Sequence, residues 1–376
     1  MMRLLFLTEY ADGGGAEKVL WNLVNQMDTN RFDITVRSIW PPKGELTVKP
    51  EIHYQPVFQK KNRVTEIIYR AEAAARLTYP LHLRNDYDVE CAFLEFGPTK
   101  IIASSSNKHA KKLAWIHCDI AKIIRSRDSF REKYAEWYRQ YDQIVCVSQT
   151  VKQSFDWLSD DAFPSIVLHN YVNSQEVLRK SEEPLPFKPS NDTLILAAVG
   201  TLYPPKNYPR LLRTFARLQA ESGNLELWIL GDGPDRESLE ALSEQLGLSG
   251  AVRFCGFQKN PYPFMRQADL LVCSSNYEGF STVITEGLIL GKPIVTTECS
   301  GMRELLGDSE YGCITDNNDD AFYYGLRAVI NDPQLRQSYA EKASLRGKSI
   351  SGDAQLKRIE AFFLQLSAEE SDGDDL

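Results

Sequence analysis

The chain has 376 residues, too many for one typical core and enough for two domains of ordinary size. An apolar fraction of 43% and a charged fraction of 25% exclude a disordered or fibrous chain, and no apolar run approaches the roughly 20 residues that span a bilayer. The net charge of −8 is uneven: residues 1–180 carry +3 and the remainder −11.

The N-terminal MMRLLFLTEY opens with a short apolar stretch that Thr8 and Glu9 interrupt. Without a small-residue cleavage site it reads as a first strand, not a signal peptide. Strands are expected at 3–10, 32–40, 51–58, 87–96, 112–118, 143–149 and 165–170. Helices are expected near 16–28, 63–84, 128–141 and 150–158. KSEEPLPFKPSNDT (180–193) is rich in Pro, Ser and Glu and reads as a linker. The pattern then restarts, with strands at 194–202, 225–231, 252–257, 269–275, 292–298 and 312–315. Helices at 319–331, 333–346 and 352–367 follow, and then the acidic tail SAEESDGDDL. Continuous apolar strands alternating with helices predict an α/β protein with parallel sheets covered on both faces. The restart predicts two doubly wound, Rossmann-like domains, 1–172 and 173–352, with the C-terminal helix 353–376 crossing back onto the first. Their ligands belong at the carboxyl ends of the strands, in a cleft between them.

The seven cysteines (Cys91, Cys118, Cys146, Cys255, Cys273, Cys299, Cys313) are scattered and form no CxxC or Cys/His cluster. Buried thiols in a reducing cytosol are the expectation. Asp86–Tyr87–Asp88 and Asp372–Gly373–Asp374 spell the DxD pattern of metal-dependent transferases. The first precedes a strand, at the wrong end of a sheet, and the second lies in the tail, so no metal site is predicted.

Four clusters follow predicted strands. In ADGGGAEKVL (11–20), glycines and the start of a helix suit a phosphate, although the dinucleotide fingerprint GxGxxG is not met because Lys18 stands where its last glycine belongs. A tight turn without a ligand is an equal reading. AWIHCD (114–119) puts His117 at a strand end, where a satisfied structural histidine is the common case. VGTLYPPKNYPRLL (199–212) ends a strand at Gly200 and offers Lys206 just before a helix, a point charge placed for phosphate or a solvated loop lysine. NYEGFSTVITEG (276–287) puts Glu278 in a loop and Glu286 in the helix that Ser281 or Thr282 caps, with Gly279 allowing close backbone approach. The apolar neighbours of Glu286 mark that helix as buried.

GGAEK, WIHCD, VSQTVK, HNYVN, VGTLYPPKN, LGDGPDRESLE, FCGF and EGFSTVITEGLILGKPIV occur in order along nearly the whole chain. With these motifs the sequence resembles a retaining glycosyltransferase of the GT-B fold, family 4 (glycosyltransferases group 1), of the bacterial surface-polysaccharide type. The resemblance implies a hexosyltransferase that uses a nucleotide diphosphate sugar, probed most naturally with UDP-linked donors, and a glycan or lipid-linked glycan acceptor. It implies that Glu278 holds donor-sugar hydroxyls and that the amides from Gly279 through Phe280, Ser281 and Thr282 to Val283 approach sugar and diphosphate. Glu286 would hold the ribose diol and Lys206 would neutralise the leaving diphosphate. Gly14 and Gly15 would touch that diphosphate from the other domain, His117 would lie beside the transferred sugar, and Phe257 would contact the base.

One departure stands out: relatives have arginine in the pattern GRL where this chain has Gly200–Thr201–Leu202. Arg210 or another cation is one compensation for the missing charge, and Lys206 with helix amides is another. Rival readings are a nucleotide-sugar epimerase of the same fold, an NAD-dependent dehydrogenase, a glycosidase, and a nucleotide-sugar binder without activity. The dehydrogenase lacks its fingerprint, and a glycosidase does not need phosphate-binding features. Residues 122–141 mix arginines with aromatics and could lie on an anionic membrane, or could be a solvated helix whose aromatics pack inward. The expected location is the cytoplasm, peripheral on the inner face of the cell membrane, with no nucleic-acid partner.

Overall fold

Thirteen short runs dominated by β-branched, aromatic and leucine residues become strands, and every pairing among the described residues is parallel. The computed structural model describes residues 1–44, 46–83, 86–189, 192–350 and 352–368. Its contacts divide the chain into two units, one of residues 1–171 with the segment from Asp353, the other of residues 172–352.

The first unit holds β1 (Met2–Thr8), β2 (Phe32–Ser38), β3 (His53–Pro56), β4 (Val89–Ala92), β5 (Lys111–Ile116), β6 (Gln143–Cys146) and β7 (Ser165–Val167). They form one sheet in the order β3-β2-β1-β4-β5-β6-β7. The second unit holds β8 (Leu194–Val199), β9 (Leu225–Leu230), β10 (Val252–Gly256), β11 (Leu270–Cys273), β12 (Ile294–Thr297) and β13 (Cys313–Thr315). Their order, β10-β9-β8-β11-β12-β13, repeats the first pattern. Parallel neighbours cannot be joined by a tight turn, so helices cross between them and bury both faces. All of β4 and β9 is buried, and both are apolar except for one acid each, Glu90 and Glu226.

In each sheet the strand order reverses once, between β1 and β4 and between β8 and β11. Loops leaving neighbouring strands diverge at such a point and open a crevice at the carboxyl ends. The glycine loop and Glu95 leave β1 and β4, and the Gly200–Lys206 loop and the Glu278 loop leave β8 and β11. The fold therefore places three of the four predicted clusters at the two switch points and AWIHCD at the end of the next strand, β5.

Several elements differ from expectation. The helix expected at 63–84 is broken into Arg63–Ala74 and Thr78–His82, where Arg76 adopts φ 60, a left-handed conformation that ends a helix. Residue 84 lies outside the described residues, as do 190 and 191 of the expected linker and the DxD of the tail. The stretch 128–141 forms two short helices, Arg127–Lys133 and Ala135–Tyr138. Short helices Gly97–Ile102, Ile120–Ile124 and Ser174–Lys180 were too brief for a periodicity to show.

In the segment 122–141, Phe130 and Tyr138 are buried and pack with Phe155 and Phe163, while Tyr134 and Trp137 are half-buried and Ile123 is exposed. Arg127 and Arg131 pair with Asp160. No helix among the described residues is long and apolar enough to cross a membrane.

The helix Gly352–Ala368 starts at the last residue of the second unit and completes the core of the first. Phe363 is fully buried, with its ring 5.7 Å from Phe6 and 6.4 Å from Phe32. Glu360 accepts the backbone N–H of Asp28 at 2.8 Å.

Candidate active site

The loop after β11 turns into the helix Thr282–Ile289, and Ser281 caps it by accepting the N–H of Ile284 at 3.4 Å. Thr282 and Val283 begin the helix, so their amides belong to the first turn, where no intrahelical acceptor exists. Gly279 and Phe280 are buried beneath them. A Cβ on Gly301 would stand 2.7 Å from the Gly279 carbonyl; only glycine at 301 lets the two loops lie this close.

Lys206 ends a short 3₁₀ turn, Pro204–Lys206, and its ammonium reaches Glu278 at 2.6 Å. Ser275 donates its hydroxyl to the same carboxylate oxygen at 2.6 Å. The two charged side chains are 18% and 12% exposed. Burial alone would lower the Lys206 ammonium, but the adjacent Glu278 carboxylate more than offsets this and holds it above its ordinary value. Lys206 is thus a permanent cation.

The loops that carry this pair are stitched together. Ser274 donates to the carbonyls of Lys206 and Asn207, at 2.9 and 3.1 Å, and the Asn276 N–H bonds Pro205 at 2.7 Å. Asn207 takes a left-handed conformation, φ 49, and its side chain caps the helix Tyr208–Ser222. Asn is one of the few side chains that serves both purposes.

Arg210 does not compensate for Thr201. It is 7% exposed and donates to Asp319 at 2.8 Å, to Asn317 at 2.6 Å and to the Ser274 carbonyl at 3.4 Å. Asn317 in turn donates to the carbonyls of Ser275, Asn276 and Glu298, each at 3.1 Å. Arg210 therefore braces the Glu278 loop from behind. Thr201 is exposed, and Gly200 (φ +154) has its carbonyl held by the Tyr208 hydroxyl at 3.1 Å. GDGP is a packing turn: a Cβ on Gly231 would lie 1.9 Å from the Gly200 carbonyl oxygen.

Glu286 is 1% exposed on its helix and accepts from the Tyr262 hydroxyl at 3.2 Å. Phe257 is 72% exposed, just past Gly256 at φ +69. The second unit thus brings together Gly200, Lys206, Glu278 and the amides through Val283. Glu286 lies one turn deeper along the same helix, and Phe257 follows the edge strand β10, two strands from β8.

In the first unit, Gly14 and Gly15 open the helix Gly15–Val24. The anion expected on this helix end is supplied by the chain itself: Glu17 folds back so far that a Cβ on Gly14 would stand 2.1 Å from its Oε2. Burial, with help from Glu9, Glu95 and Asp12, raises the Glu17 carboxyl to about 7, although its own backbone N–H pulls it down. His117 leaves β5 with its ring 4.6 Å from Phe93 and 6.3 Å from Trp115. Burial lowers its imidazole to about 3, so it is neutral, and its Nε2 has no hydrogen-bond partner among the described residues. The Glu95 carboxylate receives the backbone N–H groups of His117 and Cys118 and fixes the loop from which the ring projects.

Glu17, Glu95, Ser275, Asn317 and Tyr262 are site residues that sequence reasoning missed. Only Glu95 carried a usable signal, as an acid at the end of an apolar strand. Asp86 and Asp88 sit at the opposite end of the sheet, before β4, each 3.2 Å from Arg3, and are ion-pair partners.

Residues 180–346 match the family model of glycosyl transferases group 1. A Campylobacter jejuni N-acetylgalactosamine-N,N'-diacetylbacillosaminyl-diphospho-undecaprenol 4-alpha-N-acetylgalactosaminyltransferase is 36% identical over 185 residues, 49% of each chain. The match therefore spans about half the length of that relative. The Rhizobium meliloti lipopolysaccharide core biosynthesis glycosyltransferase LpsE is 29% identical over 96% of this chain and 97% of its own. Among solved structures, Anabaena HepE in complex with UDP-glucose superposes with a TM-score of 0.75 at 17% identity, over 97% of this chain and all of that one. WaaG, a glycosyltransferase involved in lipopolysaccharide biosynthesis, gives 0.70 at 17% identity, over 95% and 98%. These likenesses establish the GT-B fold, and the group 1 match falls on the residues that carry Lys206, Glu278 and Glu286. Residues 180–346 are thus similar to glycosyl transferases group 1, within a chain that has the fold of these structures.

Proposed function

We propose that the protein transfers a hexose or N-acetylhexosamine, with retained anomeric configuration, from a UDP-linked nucleotide sugar to a glycan or lipid-linked glycan acceptor in polysaccharide biosynthesis. The observation that carries this reading is the Lys206–Glu278 pair set beside the first turn of a buried helix. When the bond from the anomeric carbon to the diphosphate breaks, negative charge develops on the leaving oxygen. Lys206 and the amides from Gly279 to Val283 are donors placed for that charge. Glu278 then releases Lys206 to the diphosphate and accepts hydroxyls of the donor sugar, with Glu286 on the ribose diol and Phe257 at the base. The electrostatic work of a metal is assigned to Lys206 and the amides, with Thr201 contributing only a hydroxyl.

The names of the relatives support the acceptor class: one acts on a diphospho-undecaprenol-linked sugar and another in lipopolysaccharide core synthesis. A complex with UDP-glucose in a protein of the same fold supports the donor class. Purified protein incubated with UDP-sugars and lipid-linked acceptors should release UDP and yield, by proton NMR of the new linkage, the donor's anomeric configuration. Inverted product sinks the retaining mechanism, and sugar interconversion without UDP release favours an epimerase.

A peripheral membrane contact belongs to this reading, through 122–141 as expected from the sequence and through the helix Arg63–Ala74. Val64, Ile67 and Ile68 are 65%, 67% and 42% exposed there, beside Lys60, Lys61, Arg63 and Arg70. Apolar residues rimmed by cations suit an anionic bilayer surface. Co-sedimentation should rise with anionic lipid content and fall when Val64 and Ile67 become serine; binding indifferent to either removes the proposal.

A further inference from the structure

Side chains alternate along a strand, and in-register partners of parallel strands share a face. The pairings Arg3↔Asp33, Thr35↔His53 and Arg37↔Gln55 therefore put these six residues on one face of β1, β2 and β3. Over that face lies a hollow of about 670 Å³ that they line, with Tyr54, Asp86 and Tyr87.

Two guanidiniums, Arg3 and Arg37, and two carboxylates, Asp33 and Asp86, line it. Asp86 is 3.2 Å from Arg3, and Asp33 is 3.7 Å from His53. Arg37, 8% exposed, forms an ion pair with neither carboxylate, and its Nε has no hydrogen-bond partner among the described residues. Burial lowers its guanidinium below the ordinary value. No carboxylate among the described residues pairs with it. A buried guanidinium without a counter-ion is costly, and its planar fork of donors matches the oxygens of phosphate. Thr35 and Gln55 flank it with further donors.

We propose that this hollow is a binding site for a phosphate group, inorganic or as a sugar phosphate monoester, held by Arg37 with Thr35 and Gln55. It is built from the first unit alone and uses none of the residues assigned to the donor.

Titration calorimetry with inorganic phosphate, glucose 6-phosphate and glucose tests this on wild type and on Arg37→Gln. Both phosphates should bind wild type and glucose should not, and Arg37→Gln should weaken both at least tenfold. Tighter binding of glucose 6-phosphate identifies the monoester as the ligand, and equal binding identifies free phosphate. Hydrogen exchange should slow at 32–38 and 53–56 in wild type when phosphate is added, and not in the variant. Arg37→Lys, which keeps the charge but not the fork, covers a failure of Arg37→Gln to fold and should bind with intermediate affinity. Phosphate that binds wild type and both variants alike, protection confined to residues 200–290, or no binding to wild type overturns the site.

Discussion

Lys206 and Glu278 are each other's counter-ion as well as the proposed reactive groups, so their variants report on stability and activity together. Lys206→Ala leaves the Glu278 carboxylate, 12% exposed, with only the neutral donors Ser275 and Cys273, and removal of one member of a buried pair costs about 3 kcal/mol. Adding Glu278→Gln should return much of that stability in a urea titration, while turnover stays down by orders of magnitude in both variants. If the second substitution restores nothing, the pair is not coupled. Glu17 makes a prediction of opposite kind. Burial raises its carboxyl to about 7 from the ordinary 4.5, so the folded state binds the proton more tightly than the unfolded chain. The stability this gives is complete below about 4.5 and is lost as pH rises through about 7, by up to roughly 3 kcal/mol. Glu17→Gln should flatten stability between pH 5 and 8 and be the more stable protein at pH 8. A wild-type curve as flat as the variant's refutes this. Neither behaviour was legible in the sequence. Glu17 stood in a motif that promised an anion site, but burial beside Glu9 and Glu95 is a tertiary fact.

At the scale of elements, the strands were legible because buried parallel strands are near-continuously apolar, as LILAAV shows and as LELWIL shows but for Glu226. Glu278 and Lys206 were legible for a related reason: both lie a few residues past such a strand, where the topology gathers loops. Arg210 was not. It sits at a helix start close to Lys206, and nothing local says that its partners are Asn317 and Asp319, more than a hundred residues on. Through them it supports the loop 274–278. Arg210→Leu should therefore cost about 3 kcal/mol in stability, since Asn317 and the loop carbonyls lose a charged donor. It should also lower kcat without a matching change in donor affinity, because Glu278 is misplaced and not removed. Unchanged kcat at full donor saturation counts against the brace. The broken helix at Arg76 escaped the sequence reading too, because a left-handed arginine leaves no compositional mark.

The whole molecule is not two beads on a string. The first unit takes its last core helix from the far end of the chain, and Phe363 packs its ring edge on to Phe6 and Phe32. Phe363→Ala should cost about 3–5 kcal/mol by the cavity it leaves. Deletion from Asp353 onward should leave the first unit unfolded or aggregating, while residues 172–352 alone should melt cooperatively in a calorimeter. A truncated chain with the full-length melting profile refutes this dependence. The linker expected at 180–193 illustrates what composition cannot convey: its Pro- and Ser-rich stretch follows a helix, Ser174–Lys180, that already belongs to the second unit.

That arrangement bears on how the protein is made. A ribosome delivers residues 1–171 first, yet the helix that seals them emerges last, after the whole of 172–352 has been translated. At about 5–20 residues per second this is a wait on the order of ten to forty seconds. Throughout it Phe6 and Phe32 lack their closing ring, while the later half, contiguous in the message, is free to finish. The nascent chain completes itself from the back, and its opening half is the portion a chaperone must shield.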